Sequence, residues 1–184
     1  MKPLQAVAMG MVVILLVVQA GEVDLLANPL GWVLVIVGVR QLPAAVDLRP
    51  TLLVLSGLAL LVSLPLCVPS VVDALDDADE SLAWALNLPQ FGTYLLLSLA
   101  LSRAAVEHGD RAAGAWWSTM VLGFAAVLVL PVLIFGGGLD GLEALAGLLV
   151  GLVPTVTIVL LFVHSSRAWA GAPAVAAPPA TEAG

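Results

Sequence analysis

Charge is the scarcest ingredient of this 184-residue chain. Asp, Glu, Lys and Arg together make up 10% of it, hydrophobic residues make up 61%, and the mean hydropathy is +1.12. A water-soluble domain carries about 25% charged residues, so this chain lacks the polar surface such a domain needs. Disorder is excluded from the other side, because a chain this apolar collapses. There is one cysteine, Cys67, which excludes an internal disulfide and a cysteine-rich metal site. No Asp, Glu, Lys, Arg or His lies near the middle of any long apolar run. Proton relays and ion couplers are built from such groups, so their lack argues against a transporter driven through buried carboxylates.

Motifs are equally scarce. Gly136-Gly137-Gly138 lacks the lysine and hydroxyl residue of a phosphate-binding loop. The acidic run Asp73, Asp76, Asp77, Asp79 and Glu80 lacks the alternate spacing and sixth-position glycine of a calcium loop, and reads as a solvated segment. His108 and His164 lie on different loops with too few further ligands for a metal site. His164-Ser165-Ser166 has no acidic residue beside it to orient a catalytic base. These readings predict no enzyme, no cofactor and no nucleic-acid partner.

What is present is a series of charge-free windows: 3–21, 25–39, 50–72, 81–102, 112–139 and 144–166. A bilayer core takes about 20 apolar residues of helix. The chain therefore reads as an all-α integral membrane protein with six transmembrane helices, near Leu4–Ala20, Leu25–Val39, Thr51–Val72, Leu88–Ser102, Trp116–Phe135 and Ala144–Val163. Residues 1–167 form this transmembrane domain, and the Ala/Pro-rich stretch 168–184 reads as a disordered cytoplasmic tail. The longest connection, Asp73–Asn87, is too short for a soluble domain. Lys2, the run Leu4–Val18 and Val18-Gln19-Ala20 also imitate a cleavable signal peptide, but the next apolar segment follows at once, which favours an uncleaved helix.

The cations orient the chain. Lys2, Arg40, Arg49, Arg103, Arg111 and Arg167 all fall at alternate ends of the spans, and the other three connections carry only acidic residues. Cationic residues in short loops are retained in the cytoplasm, so both termini are placed there and the spans form three hairpins. The five tryptophans sit near span ends and read as an interfacial belt. Pro65, Pro131 and Pro154 are expected to kink helices, and Pro29 and Pro89 to occupy first helical turns. Ser56, Ser63, Ser98, Thr155 and Thr157 are expected to bond their own helix carbonyls or to join helices.

The block Asp24-Leu25-Leu26-Ala27-Asn28-Pro29-Leu30-Gly31-Trp32, leading into Val33–Gly38, resembles a hairpin segment of small uncharacterised multi-pass proteins of Gram-positive bacteria. The Ala/Val/Leu/Gly-rich composition is similar to that of actinobacterial proteins. The resemblance implies a membrane location and no activity. The expected setting is the bacterial plasma membrane, with the lipid bilayer as the first partner. The leading functional expectation is a structural or accessory subunit that packs with itself or with membrane partners. The alternatives are a transporter or channel for a neutral or apolar solute and, behind it, a membrane enzyme. Gly147, Gly151 and Pro154 are the candidate helix-packing residues, because the two glycines lie four apart on one face with Pro154 extending it. A bulky side chain at Gly151 is expected to be poorly tolerated.

Overall fold

The computed structural model describes residues 1–20, 27–43, 46, 48–76 and 80–172. It is all-helical, with no strand among the described residues. The long helices are α1 (Pro3–Ala20), α2 (Ala27–Arg40), α3 (Arg49–Ser63), α5 (Glu80–Glu107), α6 (Arg111–Pro131) and α7 (Glu143–His164). A short helix, α4 (Pro69–Asp76), precedes α5. Three segments are long and apolar enough to cross a membrane: Arg49–Cys67, Arg111–Gly136 and Glu143–His164. Pro3–Leu16 and Asn28–Arg40 are apolar but shorter.

The packing closes into a ring. Helix α1 packs on α2, α2 on α3, α3 on α5, α5 on α6, α6 on α7, and α7 returns to α1. The seam between α1 and α2 shows how the sequence permits this. Pro3, Val7, Gly10 and Ile14 recur at alternating steps of four and three on α1, facing Gly31, Val35 and Gly38 on α2. A Cβ on Gly10 would lie 2.5 Å from the Gly31 carbonyl oxygen, and one on Gly38 would lie 2.8 Å from the Pro3 oxygen. Only glycine lets the two backbones approach this closely, and close approach is what holds helices together where burial of apolar surface drives little. On α6, a Cβ at Gly123 would stand 3.0 Å from Val153 of α7. Ser102 of α5 donates to the Gly114 carbonyl at 3.0 Å and lies 2.9 Å from the Ser118 hydroxyl, tying α5 to α6.

The turn between α5 and α6 is built by its sequence. Gly109, at φ 81°, ends α5 in the left-handed conformation that a side chain would strain. The Asp110 N–H reaches back to the Ala105 carbonyl at 2.8 Å, and the Gly109 N–H to Val106 at 3.0 Å. This is the glycine stop that satisfies the last carbonyls of a helix. Asp110 then caps the next helix at once, its side chain accepting the Ala113 N–H at 3.2 Å.

Three expectations differ from the structure: the extent of the third span, the place of Pro89 and the start of the tail. The α-helix of the third span ends at Ser63 and the apolar segment at Cys67 rather than Val72, because Pro65 starts a 3₁₀ turn (Pro65–Cys67) and α4 follows as a separate helix. Pro89 sits well inside α5 rather than in its first turn, since that helix runs unbroken from Glu80. Pro131 closes α6 and leads into a π-helical turn, Val132–Gly136. The fold also continues past residue 167: Ala168–Ala170 form a 3₁₀ turn with Trp169 and Ala170 buried. The disordered-tail expectation otherwise falls on 173–184, outside the described residues, as do Asp77 and Asp79 of the acidic stretch and the loop holding Glu22 and Asp24.

Candidate functional site

The middle of the ring is filled by aromatic side chains. Trp32 of α2 stacks on Tyr94 of α5, with centroids 5.8 Å apart and planes 13° from parallel. Tyr94 in turn meets Phe124 of α6 at 5.6 Å and Phe91, edge-on, at 6.4 Å. Because α2 and α6 lie on opposite sides of the ring, this row reaches across its width. Trp32, Tyr94 and Phe124 are each at most 2% exposed. Sequence reading missed Tyr94, the chain's one tyrosine, although an aromatic with a hydroxyl in the middle of the least apolar span was a visible signal.

The interfacial reading of the tryptophans is corrected for three of them. Trp32, Trp117 and Trp169 are buried in the core, and Trp116 is the exposed one. An indole contributes a large contact area, so a ring closed by small residues uses it as filling.

Beside the aromatic row lies a cavity of about 130 Å³ at mid-height, between α1, α5 and α7. Met11, Ile14, Leu15, Phe91, Val150 and Pro154 give its apolar wall, and Gln90 and Tyr94 its polar groups, with Gly151 completing the lining. Of the expected packing residues, Pro154 is buried in α7, whereas Gly147 and Gly151 are exposed. No described atom lies within 4 Å of a Cβ built on either glycine. The helix crossing expected within the chain at these two positions thus has no described partner. The close crossings are at Gly10, Gly31 and Gly38 instead.

The small hydroxyl residues serve the helices that carry them. Ser56 donates to Leu52, Ser63 to Leu60, Ser98 to Tyr94, Thr155 to Gly151 and Thr157 to Val153. Each bond satisfies a hydroxyl within its own helix.

A second cluster occupies the end of the bundle where the cations meet. Asp110 Oδ2 accepts the Trp169 indole N–H at 3.3 Å and lies 3.7 Å from Arg167 Nε. His164 is sandwiched between Trp117 and Trp169, at 5.8 and 5.7 Å. His108, on the neighbouring turn, lies against its own helix through Nδ1 and the Ala104 carbonyl at 2.8 Å. Gly171, at φ 87°, brings the chain back against Pro3 and Pro43. The residues after α7 therefore latch onto the starts of α1 and α6. Among the described residues no three His, Cys, Asp or Glu side chains converge as a metal site would need.

Compared with protein-family models, curated proteins and solved structures, the chain has no match. The geometry alone carries the reading.

The Ala113 N–H holds the Asp110 carboxyl below the usual carboxylate range, against opposing partial burial, with the Trp169 indole and Arg167 helping. A carboxylate depressed in this way stabilises the fold above its ordinary pKa. That contribution is lost as pH falls through the lower folded value. Asp110→Ala removes a helix cap together with the Trp169 contact, and should cost about 1 kcal/mol at neutral pH. Thermal melting checks this, and the gap between parent and variant should begin to narrow as pH falls below about 4, the ordinary carboxylate range, and close only once the folded carboxylate, held below that range, is itself protonated.

Proposed function

We propose that this chain is a six-span protein of the bacterial plasma membrane, with both ends on the cytoplasmic side, that acts without catalysis as an accessory or structural subunit. It would assemble with copies of itself or with membrane partners. The observation that carries the reading is the contrast between its surface and its interior. Outward-facing Val54, Leu61, Leu122, Leu148, Val159 and Val163 are each more than half exposed, on three different helices. Such a girdle suits lipid and is a liability in water. Inside, the ring is closed by Trp32, Tyr94 and Phe124.

The placement of the cations supports the orientation. The chain near Lys2, Arg40, Arg111 and Arg167 meets at one end, through Pro3, Pro43, Gly171 and the Asp110–Arg167 pair. Arg49 returns there as well, donating to the Arg40 and Leu42 carbonyls. The acidic connections alternate with these cations along the sequence, and cations are the charges kept inside. The solute-path alternative has the mid-height cavity in its favour, but the aromatic row bars the way beyond it.

Copurification after mild detergent extraction tests the proposal. A stable complex, with itself or with another membrane protein, is the expected result. A monodisperse single chain that passes neutral solutes across liposomes would favour the transport reading instead.

A further inference from the structure

The cavity between α1, α5 and α7 has the features of a ligand site rather than of a packing flaw. Its lining contains no Asp, Glu, Lys, Arg or His, so a charged ligand would enter without a partner. At about 130 Å³ it is close to an apolar cavity of roughly 150 Å³ that takes benzene or xenon. Its aromatic wall is already arranged for a further ring, because Phe91 and Tyr94 stand edge-to-face at 80°. Two polar groups, Gln90 and Tyr94, lie one turn apart on the same face of α5 and both contribute to the lining. A mostly apolar pocket with a few convergent polar groups is the usual form of a small-molecule site. Gly151 opens the wall on the α7 side: it is exposed, and nothing described stands within 4 Å of where its side chain would begin. Met11, Tyr94 and Pro154 lie near the middle of α1, α5 and α7, so the site is level with the hydrocarbon core in the membrane reading.

We propose that this cavity binds a neutral, single-ring apolar molecule carrying one hydrogen-bonding oxygen, with the ring against Phe91 and Met11 and the oxygen at Tyr94 and Gln90. Entry is from the lipid side, past Gly151. The site goes beyond the accessory role, since a subunit can assemble with or without it.

The test is photolabelling of the whole protein in lipid nanodiscs with a phenyl trifluoromethyl diazirine, mapped by peptide mass spectrometry. Label should concentrate in the segments holding Met11, Phe91 and Pro154. Excess phenol should suppress it, and benzene should do so less well. Tyr94→Phe should weaken the competition by phenol about five- to tenfold and leave that by benzene unchanged, as loss of one hydrogen bond does. Gly151→Leu fills the opening from a position with free space, and should abolish labelling at an unchanged melting temperature. Should that variant fail to fold, the phenol and benzene comparison in the parent decides by itself. Label spread over outward residues such as Leu122 and Leu148, or equal competition by phenol and benzene, overturns the proposal.

Discussion

Gly31→Val should be among the most damaging single substitutions in the chain, costing about 3 kcal/mol or more and separating α1 from α2. Even the first carbon of a side chain at Gly31 would lie 2.6 Å from Ile14 Cγ1 and 2.7 Å from the Gly10 oxygen. A flexible side chain can move aside, but a backbone carbonyl inside a helix can do so only if the whole helix moves. Overpacking of a well-filled site costs about 1–3 kcal/mol, and more when backbone is what must give. Gly10→Ala should follow the same course, because the backbone atoms in its way are the Gly31 oxygen and the Val35 nitrogen at 2.5 and 2.9 Å, with Val35 Cγ2 at 2.8 Å. Gly147→Ala serves as the control, with no described atom near its new methyl and an expected effect within about 0.5 kcal/mol. Melting curves in one detergent compare the three. A Gly31→Val protein that melts with the parent would show that the α1–α2 seam is not closed as described.

The second large effect is expected at the aromatic row. Tyr94→Ala removes the ring that touches Trp32, Phe91 and Phe124 together, and Trp32→Ala removes the stacked partner. Truncating a buried aromatic to alanine costs about 3–5 kcal/mol, because the surrounding side chains close the hole only in part. Both variants should fall in that range. The double variant should cost less than the sum of the two, by the coupling of about 0.5–1.5 kcal/mol that an aromatic pair carries. Chemical unfolding of the four proteins measures this. Strict additivity would mean that the two rings do not share a contact.

The sequence showed the elements well and their neighbours poorly, and the physical cause is the same for both. A helix surrounded by apolar material is apolar on every side, so the runs that mark α3, α6 and α7 stand out against their charged ends. That uniformity erases the polar and apolar faces from which packing is read in a soluble helix. The remaining signals are small residues and aromatics. The Gly147/Gly151 pair has the motif spacing yet faces open space among the described residues. Gly31 and Gly38, two turns apart, make the close crossing with the neighbouring helix, Gly31 with Gly10 and Gly38 with Pro3 and Val7. Counting glycines against a seven-residue repeat, rather than a four-residue one, would have found that seam. Trp32 and Trp117 lie toward span ends, where an interface anchor is the ordinary expectation, and nothing local to their sequence says that a partner ring waits inside the bundle. Asp110 was legible as a residue on a turn. Its contact with Trp169, 59 residues further on, was not.

The most direct test of the account is the membrane topology itself. Reporter fusions at Ala45 and Gly109, beside the cation-bearing ends of the helices, should read as cytoplasmic. Fusions at Ala78 and Gly138, on the acidic side, should read as external. With the N-terminus cytoplasmic, that pattern requires an even number of spans before Ala45 and Gly109 and an odd number before Ala78 and Gly138, as the six-span topology demands. An external signal at Gly109 would contradict it.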